Sequence, residues 1–327
     1  MNIFHGIVEI AGQMGILSDA LKAKGHYSVG YNTFHSYLGY KDHLVNTDLN
    51  QIKANQEDII NSFDIFHFHY NTTLHENHED LPYLQSKGKK MIMHHWGNDV
   101  RFHDLAKVNN PYAYTGDSPP NEVMHENLTK ISKYIKHAIV QDYEVYDYVK
   151  DYYEKVHVVP IAIDISKFYP HFPKVDKDKP LILHAPTNPD FKGTTYIENT
   201  LAELRKTHAF DYQRIEKMNH DEVIKLYEKA DIIVDQVLCG SYGLLSVESM
   251  ALGKPVITYI RPDLITKFPS VLPIVNANPD NLYNQIKLLL DNPMLRLNVG
   301  ILGREYAMRV HGHHAVADQL LSIYSQL

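Results

Sequence analysis

The segment 240–259, GSYGLLSVESMALGKPVITY, restricts the fold of this chain more than any other. Gly240 and Gly243 permit a tight turn with no bulk between the backbone and a ligand. Residues 244–252 read as a short helix with Gly253 as its stop, and Pro255 forbids continuation. Residues 256–260 then read as a buried strand. A loop, a helix and an interior strand packed so closely point to an α/β unit with a parallel sheet. Such a loop aims a helix N-terminus, with unpaired N–H groups and partial positive charge, at whatever lies above the sheet, where a diphosphate is a natural guest.

Glu248 adds chemistry to that geometry. Leu244, Val247 and Ala251 share the core-facing stripe, and Glu248 borders it. A carboxylate there needs donors, which ribose hydroxyls supply, or else it snorkels to water.

The same alternation of strands and helices runs through both halves. Strands are expected at 3–10, 65–70, 91–95 and 138–141, with a first helix over 12–24 ended by Gly25. Residues 158–180 are rich in proline and carry the charged run KVDKDK, which marks a linker. The alternation resumes with a strand at 181–185, a helix at 193–205, a helix capped by Asn219 and a buried strand at 232–234. With 327 residues, two domains are expected. The reading is an N-terminal Rossmann-like domain over 1–160, a C-terminal one over 161–307, and a last helix within 308–327 returning to the first. The two domains would face each other across a central cleft, with ligands at the strand carboxyl ends.

Composition excludes several classes. A net charge of −7 and pI near 6.3 argue against nucleic acid as partner. Cys239 is the single cysteine, so no intrachain disulfide forms and a reducing compartment fits. The N-terminus lacks the pattern of a secretory signal, and no apolar run reaches the roughly 18 residues of a membrane span. The expectation is a cytoplasmic protein, with peripheral contact at the inner membrane face as the further option.

Other segments follow in a recognisable order. EIAGQMGILSDALKAKGHYSV carries a glycine loop and helix, FDIFHFHY and MIMHHWGNDVR two strands, KVHVVPIAIDISKFYP a crossing, and HAPTNPDFKGT a second loop. Together with the GSYGLLSVESMALGKPV run they resemble GT-B-fold retaining glycosyltransferases of the family 4 type across nearly the whole chain. The resemblance implies a hexosyltransferase-type enzyme that moves a sugar from a nucleotide-diphosphate donor, a UDP-sugar first, to a glycan or lipid-linked acceptor hydroxyl with retention. It implies no cofactor and no metal. It assigns Glu248 to the ribose. The family's first glutamate, eight positions earlier, is replaced here by Gly240. A catalytically silent partner-binding subunit, or an epimerase or phosphorylase on the same fold, is the alternative.

On this reading the donor side comprises Gly12, Gly15, Lys192, Gly193, Asp235, Ser241, Tyr242, Gly243, Leu244 and Glu248. Lys192 precedes a helix start and would add a full charge beneath the diphosphate. Asp235 ends a strand, where it either partly replaces the missing acid or caps the next loop. Ser241 and Tyr242 line the ligand or simply pack the loop, and Arg261 is a further phosphate candidate. The resemblance places a catalytic histidine before the Gly-x-Asp turn, hence His94 or His95 with Asp99. Being adjacent on a strand, His94 and His95 face opposite sides, whereas His67 and His69 share one. Paired histidines invite a metal, but no thiolate or spaced carboxylate completes a set. Trp96 stacks on an acceptor sugar or packs the core, and His311, His313 and His314 are read as a final loop.

Overall fold

The computed structural model describes residues 1–269 and 271–327. The chain forms two compact units, one of Met1–Leu105, Ser118–Ala162 and His313–Leu327, the other of Ala106–Asp117 and Ile163–Gly312.

The first unit holds a fully parallel seven-stranded sheet. Its strands are β1 (Asn2–Ile7), β2 (Tyr27–Asn32), β3 (Leu44–Asn46), β4 (Ile65–His69), β5 (Lys90–His95), β6 (His137–Val140) and β7 (Lys155–Val158), in the order β3-β2-β1-β4-β5-β6-β7. Reversal of the order at β1 marks a doubly wound, Rossmann-like sheet. Ile3, Ile65, Ile92 and Ile139 form one layer on the sheet face covered by the helices Gln13–Ala23 and His313–Tyr324, whose Leu17, Leu21, Val316 and Leu320 close the core. The last helix begins at His313, so His313 and His314 lie in its first turn rather than in a loop. Short β2, β3 and β7 escape a sequence reading because their apolar patterning is brief.

The second unit carries the parallel strands β8 (Leu181–His184), β9 (Asp211–Arg214), β10 (Ile232–Val234), β11 (Val256–Thr258) and β12 (Val275–Asn276), ordered β12-β11-β10-β8-β9. Ile182, Ile232, Val234 and Ile257 fill its core with Ile197, Leu201 and Leu204 of the helix Thr194–Leu204 and Leu282, Ile286 and Leu289 of the helix Leu282–Asp291. Asn219 accepts from the Asp221 N–H and so caps the helix His220–Tyr227.

Residues 106–117 belong to this second unit although they precede the crossing by about half a domain of sequence. Asn110 anchors them by donating to the carbonyls of Leu238 (2.7 Å) and Cys239 (3.0 Å), and the Tyr112 ring meets Tyr259 edge-on at 5.5 Å. Among the described residues, no helix is long and apolar enough to cross a membrane.

Candidate functional site

The helix Leu244–Ala251 in the second unit starts at Gly243 with no side-chain cap and no acidic residue in its first turn. Its first N–H groups therefore have no acceptor from a cap side chain. A Cβ on Gly243 would lie 3.8 Å from Lys192 Nζ and 3.5 Å from Gln236 Oε1, so the ammonium stands beside the open helix tip. Lys192 closes a one-turn helix, Pro189–Lys192, whose start Asn188 caps. Gly193 then takes φ 77°, and a side chain there would strike Val237 at 2.6 Å.

Lys192 is not a free cation. Its Nζ donates to Asp235 Oδ1 at 2.6 Å and to Gln236 Oε1 at 2.7 Å, while the Ser246 hydroxyl donates to Asp235 Oδ2 at 2.6 Å. The Lys192 side chain is 11% exposed and Asp235 not at all. Asp235 holds the lysine in place and ties it to the first turn of the helix.

Glu248 is nearly buried, as its border position on the stripe requires. Its Oε1 lies 2.6 Å from His220 Nε2, and Oε2 has no hydrogen bond among the described residues. Burial pulls the His220 imidazole down, yet the charge and hydrogen bond of Glu248 outweigh it, so the group sits above its ordinary value. Asp221 adds to the rise and Lys167 subtracts from it.

Gly240 stands where a side chain has little room. Gly240 takes φ 91°, and a Cβ on it would lie 2.6 Å from Arg261 Cγ and 3.3 Å from Asn110 Nδ2. Arg261 is buried and reaches Asp263 through both Nε (3.1 Å) and Nη2 (2.7 Å), a fork on a carboxylate that occupies it as a phosphate ligand.

The loop before the helix packs on its own unit. The Tyr242 hydroxyl lies 3.1 Å from His311 Nε2 and its ring packs on Phe268, so it belongs to the loop's own packing. Ser241 is buried and its carbonyl accepts from Gln236 Nε2. Leu244 borders the open tip at the first helical position.

In the first unit, Gly12 and Gly15 lie at the start of a helix whose tip meets the protein's own acid. The Glu9 carboxylate accepts from the N–H groups of Met14 (3.2 Å) and Gly15 (3.1 Å), filling the anion place at the tip of Gln13–Ala23 with the protein's own side chain. Burial pushes Glu9 up to about 8 against these backbone bonds. A Cβ on Gly15 would lie 2.3 Å from the Asp42 carbonyl oxygen, which makes this a packing glycine. Gly15→Ala is therefore expected to cost about 1–3 kcal/mol by overpacking. Urea unfolding measures it, and an unchanged midpoint would contradict this packing.

His94 and His95 do face opposite sides, and both are buried. His95 Nδ1 lies 2.9 Å from Asp99 Oδ2 and its Nε2 2.8 Å from the Tyr153 hydroxyl. Asp99 Oδ1 also accepts from the N–H groups of Trp96 (2.9 Å) and Gly97 (3.0 Å), fixing the turn after β5. Arg101 pairs with Glu144 through two bonds at 2.9 and 2.8 Å, and Asp104 accepts from Asn121.

On the other face the isoleucine layer gives way to histidines. His5, His67 and His69 each bring a ring nitrogen within 4.8 Å of the others, the third coming from β1 rather than from any nearby sequence. Hydrogen bonds join these rings to one another and to their neighbours. The Trp96 indole can only donate, and it does so to His69 Nδ1 at 3.3 Å. A neutral His69 then carries its proton on Nε2, facing His5 Nδ1 at 3.2 Å. His67 extends the ladder to Tyr324 (2.7 Å) and His94 (3.2 Å), and Trp96 stacks on His94 at 3.9 Å. Burial pushes His5 down to about 3 and, helped by neighbouring imidazoles, drives His67, His69 and His94 well below the ordinary range.

Gln236, Ser246, His220 and Asn110 carry no signal in the sequence, because each is joined to the site only through folding.

No family model and no curated protein matches the chain. Solved structures do. A sucrose-phosphate synthase from Thermosynechococcus elongatus is 15% identical with TM-score 0.66, over 100% of this chain and 99% of that one. Anabaena HepE in complex with UDP and glucose is 10% identical with TM-score 0.65 over 100% of both chains, and a trehalose-6-phosphate synthase 10% identical with TM-score 0.62 over 99% of both. The chain has the GT-B glycosyltransferase fold.

Proposed function

We propose that this GT-B-fold protein is a glycosyltransferase that takes a sugar from a nucleoside-diphosphate donor, a UDP-sugar first, and passes it with retention to a hydroxyl of a glycan or lipid-linked acceptor. The observation that carries the reading is the uncapped tip of Leu244–Ala251 with Lys192 Nζ beside Gly243. Backbone N–H groups and an ammonium gather there around a place for a diphosphate. Glu248 lies one helical turn further along with one oxygen unpaired, suited to a ribose hydroxyl. Complexes of HepE with UDP and with UDP-glucose support the donor class. The leaving diphosphate would be stabilised by these fixed charges, with no metal step required. His95, held by Asp99 and Tyr153, would shape the Trp96–Gly97 turn on the acceptor side; His95→Ala should lower transfer while UDP binding persists.

A thermal-shift comparison tests the donor site. UDP at 100 times its dissociation constant adds about 2.7 kcal/mol of stability. The parent is expected to shift, with Lys192→Ala and Glu248→Ala shifting much less. Equal shifts in all three would reject the site. Gly240 favours a second reading, a nucleotide-binding subunit without turnover, and transfer or hydrolysis of a UDP-sugar by the isolated chain would exclude it.

A further inference from the structure

Glu248 is oriented by His220, a residue 28 positions away that lies outside the glycine loop and its helix. His220 opens the helix His220–Tyr227 directly after its Asn219 cap, which fixes its backbone. Its side chain is 22% exposed and that of Glu248 is 5% exposed, so the contact is shielded from competing water on one side while the imidazole stays reachable by solvent protons. One carboxylate oxygen is thereby tied down, and the other is left for a ligand.

Charge reinforces orientation. Lys192, Asp235, Glu248 and His220 surround the open helix tip or its first turns. With His220 protonated the four charges cancel. With His220 neutral they leave one net negative charge, which disfavours an anionic guest. We propose that His220 is a positioning residue for the donor: when protonated it fixes the Glu248 carboxylate toward the ribose and cancels its charge, so that nucleoside-diphosphate binding weakens as the pH rises. The inference rests on the donor-site reading above. Besides Glu248, Asp221 on its own helix favours the protonated form of His220 and Lys167 opposes it.

Calorimetric binding of UDP to the full chain, from pH 6 to pH 9, tests the proposal. His220→Gln keeps an N–H donor but cannot titrate, so its profile contains only the ligand's own protonation and serves as the baseline. Relative to that baseline, the parent's dissociation constant is expected to rise about tenfold across the range, the size of one charge-assisted hydrogen bond. His220→Ala should bind about tenfold more weakly than the parent at pH 6, and melting of each unliganded variant guards against misfolding. The His220 ring, followed by NMR in the unliganded parent, should titrate in the window where affinity falls. A parent that binds UDP with the same pH profile as His220→Gln overturns the assignment of His220 alone. A parent that binds no UDP at any pH overturns the donor site, and the His220 proposal with it.

Discussion

Lowering the pH from 8 to 5 is expected to remove most of the stability of the first unit. An unfolded histidine titrates near about 6.5, so holding one neutral at pH 5 costs about 2 kcal/mol. His5, His67, His69 and His94 are all held neutral by burial, a combined cost of about 8 kcal/mol at pH 5. The sign follows from depressed folded values. Above about 6.5 both states are neutral and nothing is lost; below it the unfolded chain takes up protons that the fold refuses. His78 and His157, each lowered to about 4, act in the same direction. Glu9 opposes them. With its carboxyl pushed up to about 8, folding binds a proton that the unfolded chain releases, which returns about 3 kcal/mol between pH 8 and pH 5. The ladder and Glu9 alone leave a net loss of about 5 kcal/mol, comparable to the whole stability of many domains, and His78 and His157 add to it. Trp96, the chain's one tryptophan, stacks on His94, so its fluorescence reports this ladder directly. Urea titrations at the two pH values give the difference, and His5→Leu should shrink it by about 2 kcal/mol. Equal stability at pH 5 and pH 8 would refute a neutral ladder.

Asp235→Ala is expected to destabilise the second unit by about 3–5 kcal/mol, since it strands the Lys192 ammonium in a buried place with only a carboxamide oxygen. Lys192→Ala strands Asp235 with only the Ser246 hydroxyl and should cost a similar amount. Replacing both, as Lys192→Met with Asp235→Leu, removes the pair and its desolvation together, so most of the stability should return. The UDP shift should not return, because the charge beside the helix tip is gone. Single changes that each cost less than about 1 kcal/mol would contradict the buried pair. A double variant that still binds UDP as the parent does would show that Lys192 contributes nothing to the donor.

The helix and strand of the glycine segment were legible because local rules decide them: a glycine stop, a proline block and an apolar stripe act within a few residues. Ile232–Val234 and the cap at Asn219 were legible for the same reason. Gly12 and Gly15 looked like ligand glycines, since a sequence shows that a side chain is missing but not what fills the space. That space holds a tyrosine ring at Gly12 and a backbone carbonyl at Gly15, with Glu9 on the helix tip. Nor does the sequence show that the Tyr242 hydroxyl meets His311, 69 residues away.

The longer apolar strands, the start of one short helix and the border position of its glutamate were thus determined by the sequence alone, because short-range sterics and periodicity set them. Only the tertiary structure decided which charges meet there. Lys192 with Asp235, Glu248 with His220, and His5 with His69 are brought together by strand order and helix packing, and hydrogen bonds depend on distance in space rather than along the chain.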